Sequence, residues 1–143
     1  DFILIDCPPS LGILMTASLA AANGVVVAMQ CEYYAMEGLQ VITDVIRRLR
    51  ENGANPAIHV EGILMTMYDG RTNLSEDVVQ EVRKHFGKLV YKTVIPRNIR
   101  ISEAPSFGQP VVEYDPSSKG AQAYVALAKE FAARAARNQQ NQE

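Results

Sequence analysis

Phe2-Ile-Leu-Ile5-Asp6-Cys7-Pro8-Pro9-Ser10-Leu11-Gly12 sets the reading of everything that follows it. Four apolar residues without alternation read as a short strand covered on both faces, because a half-solvated strand would alternate apolar and polar positions. The run stops at Asp6. Cys7-Pro8-Pro9-Ser10 then breaks it, since proline offers no N–H and restricts the residue before it. Leu11, Leu14, Met15, Leu19 and Ala22 recur at helical spacing up to Asn23-Gly24. The order is strand, turn, helix, with a carboxylate at the strand's end.

The same pattern repeats down the chain. Val25 to Met29 is a second buried-strand run, followed by a loop at Gln30 to Tyr34 and a helix over Met36 to Glu51. Asn52 to Pro56 stops that helix. A third strand is expected over Val60 to Met67, a polar loop over Tyr68 to Asn73, a helix from Leu74 to Phe86, and a fourth strand over Leu89 to Ile95. Beyond Pro96 the pattern loosens. Arg97 to Gly108 reads as a loop with one helical turn, Pro110 to Tyr114 as a short extended piece, and Lys119 to Ala136 as a terminal helix. Residues 1–137 form part of one domain and 138–143 a frayed polar tail. Strands alternating with helices predict an α/β fold, a parallel sheet covered by helices on both faces with right-handed crossovers. Ligands of such sheets sit beyond the C-terminal strand ends. Here these are Asp6, Met29 to Glu32, Thr66 to Arg71 and Pro96 to Arg100.

Composition narrows the class. The chain has 143 residues, 48% apolar and 21% charged, enough to build a buried core. No apolar run approaches the roughly 20 residues of a membrane-spanning helix. The chain opens with neither an initiator Met nor a signal peptide, as expected of an excised piece. Its two cysteines, Cys7 and Cys31, form no CxxC pair, which suits a reducing cytoplasm. With a net charge of −2, nucleic-acid binding would have to come from a local patch. One exists: between Val82 and Ser102 lie Arg83, Lys84, Lys88, Lys92, Arg97 and Arg100, without a single Asp or Glu.

An apolar strand ending in Asp places a carboxylate where it can orient water on Mg²⁺, although a structural cap looks the same in sequence. Cys7 has no basic neighbour and reads as a packing residue. His59 and His85 are isolated surface positions, Tyr33 and Tyr34 pack at a helix start, and Met65 and Met67 line core and pocket. Asp6, Thr66 and Lys92 imitate the acceptor, hydroxyl and lysine of a response-regulator receiver. That reading fails for want of an acidic pair on an earlier strand.

Asp6 to Gly12 closely resembles the Walker B and switch II segment of ParA-type partition ATPases. Gln30 to Gly38, Arg71-Thr72-Asn73, Ile95 to Asn98, Ser102 to Pro105 and Tyr114-Asp115-Pro116 are similar to the same family, in order. The resemblance implies that Asp6 is the Walker B carboxylate, holding Mg²⁺ through water, and that Pro8 and Pro9 lie in a turn sensing the γ-phosphate. It puts Thr66, Pro96, Arg97 and Asn98 at the nucleotide. It also implies an ATP-dependent homodimer, a ParB-like partner, a cytoplasmic, nucleoid-associated location without a membrane, and sequence-independent DNA binding. Arg71 and Arg100 are the leading DNA contacts, ahead of Lys84, Lys88 and Lys92.

The departure from the family is the phosphate loop: no G-x-x-x-x-G-K-[ST] or KGGxGK[ST] occurs between Asp1 and Glu143. ATP hydrolysis is therefore expected of the intact protein and not of this chain alone. Two alternatives stand beside this reading: a non-enzymatic DNA- or partner-binding remnant, or a MinD-like ATPase with another cargo. A terminal helix rich in alanine, ending in Asn-Gln-Gln-Asn-Gln, argues against a membrane-anchored form.

Overall fold

In the computed structural model, residues 2–8, 10 and 12–140 are described, with side chains as far as residue 137. Strands β1 (Gly24–Gln30) and β2 (His59–Thr66) pair in parallel, from Gly24 opposite His59 to Gln30 opposite Thr66. One register shift falls between Val25 and Val26, where β2 accommodates Glu61 as an extra residue. The connection is α2 (Ala35–Glu51), preceded by α1 (Ile13–Ala21) and followed by α3 (Asn73–Phe86). Gly62, Ile63, Leu64 and Met65 are buried in succession, as a strand covered on both faces requires. Ile63 and Met65 join Leu39 of α2 and Val79 and Val82 of α3 on one side. Leu64 clusters with Tyr91 and Ile95 on the other, where Leu127 and Phe131 of α6 (Lys119–Gln140) pack against the group. The expected α/β arrangement is the one observed.

Three expectations need correction. Phe2 to Ile5 forms no ladder with any described residue, and Ile3 and Leu4 are 92% and 80% exposed. Strand propensity supplies no hydrogen-bond partner, so the run stays extended and solvated, with only the Phe2 ring set edge-on against Phe131 at 5.0 Å.

The fourth strand is irregular. A 3₁₀ turn over Gly87–Leu89 leads into a segment with two isolated bridges, Ile63 of β2 to Val90 and Tyr68, just past β2, to Pro96. Tyr91 N donates to Ile63 O at 2.8 Å and Ile95 N to Met65 O at 2.9 Å. The segment thus spends more residues than β2 over the same stretch, and Lys92 and Thr93 bulge outward. The Glu130 carboxylate of α6 takes up the orphaned groups, accepting from Lys92 N at 2.8 Å, Thr93 N at 2.9 Å and the Thr93 hydroxyl at 2.8 Å. Arg134, one turn on, donates to Leu89 O at 3.2 Å and Val90 O at 2.7 Å and bridges to Glu130 at 2.8 Å. Its guanidinium also lies 4.0 Å over the buried Tyr91 ring. Tyr91 in turn fits only because residue 62 is glycine: a Cβ there would lie 3.0 Å from the phenol Cζ.

The third correction concerns the segment read as a loop with one helical turn followed by an extended piece, which holds more helix than that. It forms α4 (Ile99–Glu103), a 3₁₀ turn over Ala104–Phe107 and α5 (Val111–Tyr114). Asn98 caps α4 by accepting from Arg100 N at 2.9 Å, and Gly108 ends the turn at φ 65°. Pro110 at φ −69° suits the position ahead of a helix, and Ala104, Val111 and Ala121 bury together beneath. Helix α6 runs on to Gln140, past its expected end at Ala136; residues 141–143 of the expected tail lie outside those described.

Burial works to raise the pKa of Glu130, but the hydrogen bonds from Lys92, Thr93 and Arg134 outweigh it and take the carboxyl from 4.5 down to about 2. A depression of that size corresponds to about 3 kcal/mol of folding free energy. This stability is fully present above pH 4.5 and is lost as pH falls toward 2. Glu130→Gln should lower the denaturation midpoint at neutral pH by an equivalent of about 2–3 kcal/mol and flatten the acid limb of stability against pH, both readable by urea titration.

Candidate nucleotide and phosphate site at the strand ends

Three chain segments meet at the C-terminal edge of the sheet. Cys31 N donates to Thr66 O at 3.0 Å, and the Thr66 hydroxyl donates to Met29 O at 3.1 Å, which ties the end of β1 to that of β2. Tyr68 N donates to Ile95 O at 3.1 Å and Arg97 N to Tyr68 O at 2.8 Å, tying β2 to the next segment. The Arg97 guanidinium comes within 3.9 Å of the Glu32 carboxylate, so all three ends are joined. Thr66, Pro96, Arg97 and Asn98 are therefore grouped at one edge. Two of their side chains already have internal work, Thr66 on Met29 O and Asn98 as the α4 cap.

Asp6 and Pro8 are exposed, and no hydrogen bond or ion pair among the described residues links Asp6 to this edge. Pro9 lies outside the described residues. Among the described residues no three His, Cys, Asp or Glu side chains gather as a metal cage.

Met67 stands just past the end of β2. It is 37% exposed and adopts φ 55°, whereas Met65 is fully buried. Left-handed backbone is costly for any residue with a Cβ. Here it turns the chain at the end of β2 so that Tyr68 can pair with Ile95. Tyr33 and Tyr34 are also exposed, their rings packing edge to face on one another at 5.2 Å and not on the helix start. Burial pushes the Cys31 thiol up to about 11, which keeps it an inert core group. His59 and His85 are half-exposed, beside Glu61 at 3.1 Å and Glu81 at 3.3 Å.

The five DNA candidates do not form one cluster. Arg71 precedes α3 at the C-terminal end of β2, while Lys84 and Lys88 lie at the far end of that helix. A helix of this length separates them by roughly 20 Å. Sequence proximity concealed this, because α3 runs back along the sheet. Lys92 sits on the Glu130-held bulge between the two ends. Arg100 shares the strand-end edge with Arg71, but both are occupied by carboxylates. Arg100 bonds Glu103 at 2.8 Å and approaches Asp115 at 3.4 Å. Arg71 bonds Asp69 through Nε at 2.9 Å and through Nη2 at 2.7 Å. The Arg71 hydrogen bonds hold the Asp69 carboxyl far below the usual range. Asp69, the partner of Arg71, and Glu130, which holds the bulge at Lys92, are residues that the sequence reading passed over. The Asp69-Gly70-Arg71 spacing was a usable signal for the first; nothing local marked the target of the second.

An open cleft of about 680 Å³, lined by Arg47, Arg50, Pro56 and His59 among others, lies by the start of β2, away from the strand-end edge. It takes no part in this site.

Residues 1–60 match the family described as an AAA domain. Over 133 residues the chain is 53% identical to the sporulation initiation inhibitor protein Soj of Bacillus subtilis, covering 93% of this chain and 52% of that protein. It is 51% identical over 131 residues to the chromosome partitioning protein ParA of Myxococcus xanthus, covering 92% and 46%. Among solved structures it superposes on the septum site-determining protein MinD of Pyrococcus horikoshii, complexed with Mg-ADP. The TM-score there is 0.69 at 26% identity, over 91% of this chain and 49% of that one. The chain spans about half the length of the curated relatives it matches.

At Met67, glycine should relieve the left-handed strain and leave stability within about 1 kcal/mol of the parent. Met67→Val, β-branched at the same φ, should cost about 1–2 kcal/mol more than the glycine variant. Urea midpoints of the two variants compare them directly.

Proposed function

We propose that this chain, a ParA/Soj-type sequence over nearly its whole length, is part of an ATP-dependent chromosome- or plasmid-partitioning protein. The single observation that carries the reading is the identity of about half over more than nine-tenths of the chain to proteins so named. Strand-end geometry supports it, since β1, β2 and the Ile95 to Asn98 segment converge where ligands of parallel sheets bind.

In this reading residues 1–137 supply one portion of a single ATPase domain. Bound ATP with Mg²⁺ brings the phosphoryl group and the charge neutralisation that its transfer needs. The chain's own contributions are positional. Asp6 would hold Mg²⁺ through water, Pro8 and Pro9 would serve in sensing the γ-phosphate, and Pro96, Arg97 and Asn98 would lie near the base. Thr66 holds the ends of β1 and β2 in register beneath them. Without a phosphate loop, the chain by its own residues does not hydrolyse ATP. Two subunits close on nucleotide, and closure presents Arg71 and Arg100 to the phosphates of DNA of any sequence. Lys84 and Lys88, at the other end of α3, serve such a surface less directly. Closure prefers the ATP state by a few kcal/mol, so hydrolysis releases the DNA. A ParB-like protein is the proposed stimulating partner, with the nucleoid as the place of action.

Removing the carboxylate by Asp6→Ala in the intact protein should lower ATP turnover by at least about 100-fold, measured by phosphate release; unchanged turnover would take Asp6 out of the Mg²⁺ site. The DNA face is tested separately. Arg71→Ala combined with Arg100→Glu should weaken binding to duplexes of unrelated sequence alike and reduce the salt dependence, and intact affinity at low salt removes these residues from the DNA face.

A further inference from the structure

Arg71 is the most exposed arginine of any ion pair given a distance above, with 86% of its side chain open to solvent, yet its guanidinium is not free. Asp69 covers the Nε–Nη2 edge with two short bonds and also accepts from Arg71 N at 3.1 Å. That edge is the one a phosphate takes when it binds arginine in the two-point manner. The carboxylate is not a passing partner. Its backbone is fixed: Asp69 N donates to the buried Ser75 Oγ at 3.2 Å, while Asp69 O accepts from Thr72 N at 3.1 Å and from the Thr72 hydroxyl at 3.0 Å. Thr72 is itself the N-cap of α3, so the backbone bearing the carboxylate is anchored to a helix end and the exposed arginine comes to it.

We infer that Asp69 masks Arg71 as an internal stand-in for phosphate, so that DNA engages Arg71 only by displacing this carboxylate or by taking the outer edge of a neutralised guanidinium. This rests on the proposed DNA-binding role of Arg71. Asp69 is then a residue that sets the strength and salt dependence of DNA binding without touching DNA. An exposed pair of this kind is weak enough for a polyanion to compete with, and strong enough to hold down casual binding. It also accounts for how a chain of net charge −2 can carry cations for DNA without a standing basic field at this loop.

The test uses the intact protein with ATP and a duplex of arbitrary sequence. Asp69→Asn keeps the shape and an acceptor for Arg71 N while removing the charge; Asp69→Ser serves the same purpose if the first variant does not fold. Binding is expected to tighten roughly two- to five-fold at moderate salt. The slope of log affinity against log salt should steepen by about one unit. Asp77→Asn, which deletes an exposed charge farther along α3, should give no comparable gain, and adding Arg71→Ala to Asp69→Asn should abolish it. If Arg71→Ala weakens binding but Asp69→Asn leaves it unchanged or weaker, the masking role is overturned while the DNA face stands. If Arg71→Ala has no effect, the DNA reading of Arg71 falls, and this inference with it.

Discussion

The carboxylate of Glu130 holds a sheet together that the backbone alone does not complete. Its oxygens accept from two successive backbone amides and a hydroxyl on the bulge at Lys92 and Thr93, and Arg134 ties Leu89 O and Val90 O from the same helix. Both side chains are nearly buried, at 15% and 14% exposure. Removing one charge from such a pair leaves the other uncompensated, so the clamp is far more costly to break than an exposed ion pair. It seats α6 on the sheet, brings Tyr91 against Gly62 and delivers Ile95 to Met65. Everything at the strand-end edge after Ile95 inherits its position from that contact.

The strand-end edge is itself cross-braced. Gln30 to Glu32, Thr66 to Asp69 and Ile95 to Asn98 come from distant parts of the chain. They are joined by backbone hydrogen bonds and by the approach of Arg97 to Glu32. The left-handed turn at Met67 is the strained step that makes the junction possible. Strain at this edge is tolerated because the surrounding bonds over-determine the backbone there. The arginines beside it are covered by carboxylates, and this tempers their charge without burying them.

Cover is uneven across the fold. At the strand-end edge, side chains are paired and loops are short. By contrast, Phe2 to Ile5 and the first turn of α1, with Ile13 84% exposed, present apolar surface that no described residue covers. The outer edge of β1 likewise carries no ladder among the described residues. Apolar runs of this kind bury well only against another layer.

Much of the architecture was legible in the order of residues. Periodicity located β1, β2, α2 and α3 to within a residue or two, because the 2.0 and 3.6 repeats report which face meets a core. The Thr72 cap, which accepts from Ser75 N and starts α3 one residue earlier than expected, came only with the structure. The resemblance to ParA-type proteins was equally a property of residue order. What sequence could not carry was whatever depends on a partner distant in the chain. Phe2 to Ile5 has the propensity of a strand and no neighbour to pair with; Leu89 to Ile95 has the pattern of a strand and is bulged by a carboxylate about 37 residues away. The basic run from Arg83 to Arg100 is continuous in sequence and divided in space, because the segment from Val90 to Pro96 runs along β2 between its two ends. Asp69 and Arg71 stand two residues apart, but only the fixed backbone at Thr72 and Ser75 turns that spacing into a pair. Local propensity is written in the chain; hydrogen-bond partners and charge neighbours come from how the chain returns on itself.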